Sequence, residues 1–141
     1  MKNSGFTLIE LLITFSIISI LAAIAIPQYS AYRNKEIRTD AVRSMLKFSM
    51  ELERCRSRNG DGTYTNCPNV QNVNTSLEGH YNLSVALSNN GTNYTMTATK
   101  TGAADLECSN LTVTNDGLRD ASTNNSSLNS SKKRIQRCWG S

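Results

Sequence analysis

The chain has 141 residues, 15 basic and 11 acidic side chains for a formal charge of +4, and 38% hydrophobic residues. This length allows one domain of ordinary size and no second core, and the apolar residues crowd into the first 26 positions, ahead of an Asn/Ser/Thr-rich remainder. One histidine, His80, and four cysteines without a CxxC pair supply no metal cluster, catalytic triad, nucleophile elbow or phosphate loop, so the reading is of a non-enzyme without metal or cofactor.

Residues 6–26, FTLIELLITFSIISILAAIAI, would form about 30 Å of helix, the thickness of a hydrocarbon core. A cleaved secretory signal is the competing reading, with Lys2 as its basic region and Ala23-Ile24-Ala25 as its small-residue site. The length of the run, the carboxylate of Glu10 within it and Pro27 directly after it weigh against a signal. A carboxylate deep in lipid costs about 2.5–3.5 kcal/mol and needs a partner, unless it snorkels to the headgroups from near the end of the span. Pro27 cannot donate to the Ala23 carbonyl, so it is expected to kink or loosen the helix.

Met1-Lys2-Asn3-Ser4-Gly5 followed by Phe6-Thr7-Leu8-Ile9-Glu10-Leu11-Leu12 resembles the processing site of type IV prepilins. The resemblance implies that a membrane-embedded prepilin peptidase removes residues 1–5 by cutting after Gly5. Phe6 then becomes an N-methylated N-terminus, and residues 6–27 remain as a transmembrane and filament-core helix. Glycine before the scissile bond leaves the backbone unhindered for attack. Loss of Lys2 leaves 14 basic side chains against 11 acidic ones. The resemblance also makes Glu10 an assembly residue, paired with the Phe6 amine of a neighbouring subunit. Ser19 stands where the family usually has glycine, in the region that unwinds locally in its filaments.

Arg33, Lys35, Arg38 and Arg43 follow the span while only Lys2 precedes it, which by loop charge alone would hold the C-terminal part inside. The paired-cysteine count and the prepilin motif imply the opposite, an inner-membrane protein with its 28–141 domain in the periplasm and later on an extracellular pilus. Beyond Pro27, the apolar positions Ile37, Ala41, Met45, Phe48, Leu52 and Cys55 recur every three or four residues and predict an amphipathic helix to about residue 57. Residues 58–80 predict a loop, in which Asn59, Asp61 and Thr63 suggest a turn, since the glutamate of a calcium loop is missing.

Tyr81, Leu83, Val85 and Leu87 alternate with polar residues, as do Tyr94, Met96 and Ala98, and Asn89-Asn90-Gly91 between them predicts a hairpin. Leu111 and Val113 suggest a third strand, Asn115-Asp116-Gly117 a turn and the region of Leu118 a short fourth strand. The expected class is α+β, a long helix packed on a small antiparallel sheet.

Cys55, Cys67, Cys108 and Cys138 allow three disulfide connectivities. Joining Cys55 to Cys67 would close a short loop, and joining Cys108 to Cys138 would hold the polar C-terminal segment as a loop. The latter resembles the disulfide-bounded loop of type IV pilins, and the two pairs together, with Cys138-Trp139 at the end, resemble minor pilins of the PilE type.

Lys132, Lys133, Arg134 and Arg137 form one basic cluster and Arg54, Arg56 and Arg58 another. They suggest DNA binding through phosphates, as in related competence pilins, whereas the small net charge favours a merely solvated surface. The function read from these features is that of a structural minor-pilin subunit of a type IV pilus, serving adhesion, twitching motility or DNA uptake. Its implied partners are other pilins through the N-terminal helix, the peptidase, the inner-membrane assembly platform and DNA. A DNA-receptor pilin and a pseudopilin of a type II secretion system are the alternatives, the cysteines counting against the second.

Overall fold

The computed structural model describes residues 6–67, 73–102, 108–122 and 131–140. They form helix α1 (Leu8–Arg58), strands β1 (Tyr81–Ser88), β2 (Asn93–Lys100), β3 (Asn110–Thr114) and β4 (Arg119–Ser122), and helix α2 (Ser131–Trp139). The chain divides into a first unit ending at Lys35 and a second beginning at Glu36, with α1 contributing to both.

The first unit is helix long and apolar enough to cross a membrane, and its apolar side chains are exposed among the described residues. Three hydroxyls within that stretch find acceptors in the preceding turn. Thr14 Oγ1 donates to the Leu11 carbonyl, Ser16 Oγ to that of Leu12 and Ser19 Oγ to that of Phe15, each at 2.8 Å. Polar groups satisfied by their own helix do not need water, which is the condition for residing in hydrocarbon. Pro27 lies within α1, and the helix runs from Ser19 past it as one element.

In the second unit, α1 buries Ile37, Ala41, Met45 and Leu52, and Phe48 and Cys55 pack partly against the same core. The sheet is an antiparallel meander in the order β1-β2-β3-β4. Its register aligns Leu83, Ala98, Leu111 and Ala121 in one row across all four strands. Val85, Met96 and Val113 align in the next row. Because side chains alternate between faces, these rows share one side of the sheet and form the core with the α1 stripe. The Asn89–Gly91 connection holds Asn89, Asn90 and Gly91 at φ of 50°, 55° and 83°. Only the last has no alternative, since a Cβ on Gly91 would stand 2.4 Å from Thr65 Cγ2.

Residues 59–67 pack on this turn, with Tyr64 N donating to the Gly91 carbonyl at 2.8 Å. Val70 lies outside the described residues. Disulfides join Cys55 to Cys67 and Cys108 to Cys138.

The Cys108–Cys138 bond closes the C-terminal segment as expected, but within it Ser131–Trp139 is helical rather than loop. Ile135, Cys138 and Trp139 occupy i, i+3 and i+4 and turn inward together, while Lys132, Lys133, Gln136 and Arg137 face solvent. The Ser/Asn-rich residues before it mask this short amphipathic pattern in the sequence.

Candidate functional site

The beginning of α1 is built by a reciprocal cap. Glu10 N donates to Thr7 Oγ1 at 3.3 Å, and Glu10 Oε2 accepts both Thr7 N and Thr7 Oγ1 at 2.8 Å. This is a capping box, and Thr7-Leu8-Ile9-Glu10 ahead of an apolar run is its signature, although the sequence reading had not used it. Glu10 is thus the helix's own N-terminal ligand in the isolated chain, rather than a carboxylate without a partner. Phe6 precedes Thr7 and is largely exposed, and Gly5 lies outside the described residues.

A second polar centre sits in the head, where the sequence had indicated only an apolar stripe. Asp40 is 3% exposed and its carboxylate accepts four donors. Ser76 Oγ lies at 2.5 Å, Glu78 N at 3.1 Å, Ser44 Oγ at 3.3 Å and His80 N at 3.4 Å. Ser44 Oγ in turn accepts Leu77 N at 2.9 Å. Two buried polar side chains on α1 therefore serve as the backbone partners for residues 76–80 and set the entry into β1.

At the end of α1, the three arginines of the sequence cluster separate. Arg56 turns inward, Nε donating to the Gly62 carbonyl at 2.9 Å and Nη1 to Tyr64 Oη at 3.1 Å, with its guanidinium 5.3 Å from the Tyr64 ring centre. Tyr64 is wholly buried, donates to Glu53 Oε1 at 2.6 Å and meets Tyr94 edge to face at 5.0 Å. Burial first, and the Glu53 carboxylate second, push the Tyr64 phenol up to about 12. Arg54 pairs with Glu51 at 3.1 Å, and Arg58 Nε donates to the Arg54 carbonyl at 3.2 Å. Asp61 accepts Thr63 N and Thr63 Oγ1, both at 2.9 Å, forming the turn expected there and holding its carboxyl below the usual range. Among the described residues, no group of three or more His, Cys, Asp or Glu is placed to hold a metal.

The other basic cluster lies on α2 against β4. Arg134 is committed to the fold, with Nε donating to the Ala121 carbonyl at 2.8 Å and Nη2 4.0 Å from Asp120. Trp139 donates from Nε1 to the Asp120 carbonyl at 3.0 Å, and the Arg119 guanidinium lies 5.3 Å from its ring centre. Lys132, Lys133 and Arg137 remain on the exposed side of α2. Of these four candidate DNA contacts, Arg134 is thus bonded to β4 and the other three are displayed to solvent.

The class is that of an α+β domain with two disulfides, joined to a helix whose apolar first part is long enough to cross a membrane. The family described as "Type IV minor pilin ComP, DNA uptake sequence receptor" matches residues 27–112, and the "Prokaryotic N-terminal methylation motif" matches residues 1–26. The chain belongs to this family of type IV minor pilins.

It is similar to "Prepilin peptidase-dependent protein D" of Escherichia coli (strain K12), at 41% identity over 42% of this chain and 40% of that protein. It is also similar to a "Fimbrial protein" of Pseudomonas aeruginosa, at 57% identity over 35% of this chain and 33% of that protein. The chain thus spans two fifths or less of the length of these curated relatives. The solved structure of a type IV pilin from Shewanella oneidensis resembles it with a TM-score of 0.45 and 25% identity, over 58% of this chain and 84% of the other.

Proposed function

We propose that this minor pilin is cut after Gly5 by a prepilin peptidase, methylated on Phe6 and held in the inner membrane by residues 6–27, its head in the periplasm, before it joins a type IV pilus. On assembly Glu10 exchanges its Thr7 cap for the Phe6 amine of a neighbouring subunit, which neutralises two charges in an apolar filament core. The head then captures DNA for uptake. The observation that carries this reading is the pairing in one chain of a methylation motif over residues 1–26 with a DNA-receptor pilin family over residues 27–112.

The surface that fits DNA best is the exposed side of α2, where Lys132 and Lys133 stand together beside Arg137. Helix α2 lies beyond the residues matched by the family, so its assignment rests on charge and exposure. Binding of labelled duplex DNA by the detergent-solubilised full chain, followed by anisotropy between about 50 and 200 mM salt, tests the reading. Lys132→Gln/Lys133→Gln is expected to weaken binding and to reduce the slope of log affinity against log salt by about 1.8, the contribution of two phosphate contacts. If only Arg54→Gln/Arg58→Gln has that effect, the contact lies at the end of α1. Absence of any salt-dependent binding by the parent chain removes DNA capture altogether.

A further inference from the structure

Helix α1 leaves its apolar run through a short segment, residues 28–35, in which two tyrosines precede two cations. Tyr29 and Tyr32 come first, and each is 69% exposed. Arg33 and Lys35 follow, also exposed, within six residues or about 9 Å along the axis. Tyr29, Tyr32 and Arg33 stand at i, i+3 and i+4 and share one side of the helix, and Lys35 is three residues from Tyr32. Glu36, exposed next in sequence, offsets one of the two positive charges.

Two tyrosines displayed one turn apart directly after an apolar span suit the headgroup layer, where an apolar ring and a polar hydroxyl are both satisfied. Cations a few ångströms farther out lie at the depth of lipid phosphates, with stems long enough to reach them. Arg33 and Lys35 are two of the four positive charges that oppose the expected topology, and a lipid-binding role on that side accounts for those two.

We propose that Tyr29, Tyr32, Arg33 and Lys35 form a collar that binds anionic phospholipid headgroups in the leaflet where α1 emerges toward residue 36. The rings set the depth of the helix, and the two cations select negatively charged lipid over zwitterionic lipid. The anionic headgroups adjoin the hydrocarbon that suits the apolar span and are opposite in charge to Arg33 and Lys35.

The test uses the full chain in bilayers of equal parts phosphatidylglycerol and phosphatidylcholine, with the lipids retained on the protein identified by native mass spectrometry. The parent chain is expected to retain phosphatidylglycerol preferentially, and the preference should fall about fivefold for each cation removed in Arg33→Gln and Arg33→Gln/Lys35→Gln. Lys132→Gln/Lys133→Gln should leave it unchanged. Equal retention of the two lipids by the parent, an unaltered preference in Arg33→Gln/Lys35→Gln, or loss of preference in the α2 variant overturns the collar. The inference rests on the membrane-resident stage proposed above, and the two fail differently. A parent chain that washes off the bilayers sinks the anchor, whereas a chain that stays embedded without lipid preference sinks only the collar.

Discussion

Asp40 shows how one residue joins parts of the chain that sequence keeps apart. It interrupts the apolar stripe of α1 between Ile37 and Ala41, yet its carboxylate accepts from Ser76, Glu78 and His80, 36 to 40 residues away. Hydrogen bonds to a charged acceptor contribute about 1.5–3 kcal/mol in such settings. Asp40→Asn keeps the size of the side chain and removes the charge, so it should lower unfolding free energy by about 2 kcal/mol, read from denaturant midpoints.

Tyr64 makes a prediction of the same scale in pH. Its phenol ionises near 10.0 when unfolded and about 12 when folded, so its contribution to stability is complete below pH 10 and is lost as pH rises through 12. Two units correspond to about 3 kcal/mol, and Tyr64→Phe should show a correspondingly smaller fall in stability over that window.

Among the elements, α1 and the sheet were legible because each carries its own period. The three-to-four spacing from Ile37 to Cys55 and the alternation in Tyr81–Leu87 and Tyr94–Ala98 do not depend on distant partners. The hairpin turn was legible for the same reason, since Asn and Gly tolerate the left-handed backbone found there. Helix α2 was not, because three inward residues in a nine-residue segment make too short a pattern against a Ser/Asn-rich background. Its position also depends on Cys108, 30 residues earlier. Cys108→Ser/Cys138→Ser should cost about 3.5 kcal/mol by the loop-entropy estimate. If the bond is what holds α2 in place, the loss should be accompanied by proteolytic cleavage within residues 131–137, with α1 and the hairpin remaining protected.

For the molecule as a whole, the cap at Glu10 couples two stages of its proposed life. In the isolated chain the carboxylate closes the end of α1 with Thr7, and in a filament it would have to release that bond for a neighbour's amine. Glu10→Gln can still cap as an amide but cannot pair with an amine by charge. Membrane insertion, measured by carbonate-resistant sedimentation, should therefore be unchanged, while incorporation into sheared pili falls sharply. Equal incorporation of the variant would remove the charge-pairing account of assembly.

What the sequence determined by itself was the long apolar helix, the N-terminal methylation motif and the alternating strands, because hydrophobic run length, motif and period act through neighbouring residues. The tertiary structure decided what each charge is for. Asp40 became a buried partner for a distant loop, Arg56 and Arg134 became clasps within the fold, and Lys132 and Lys133 stayed exposed, since the value of a charge depends on which groups the folded chain brings within a few ångströms of it.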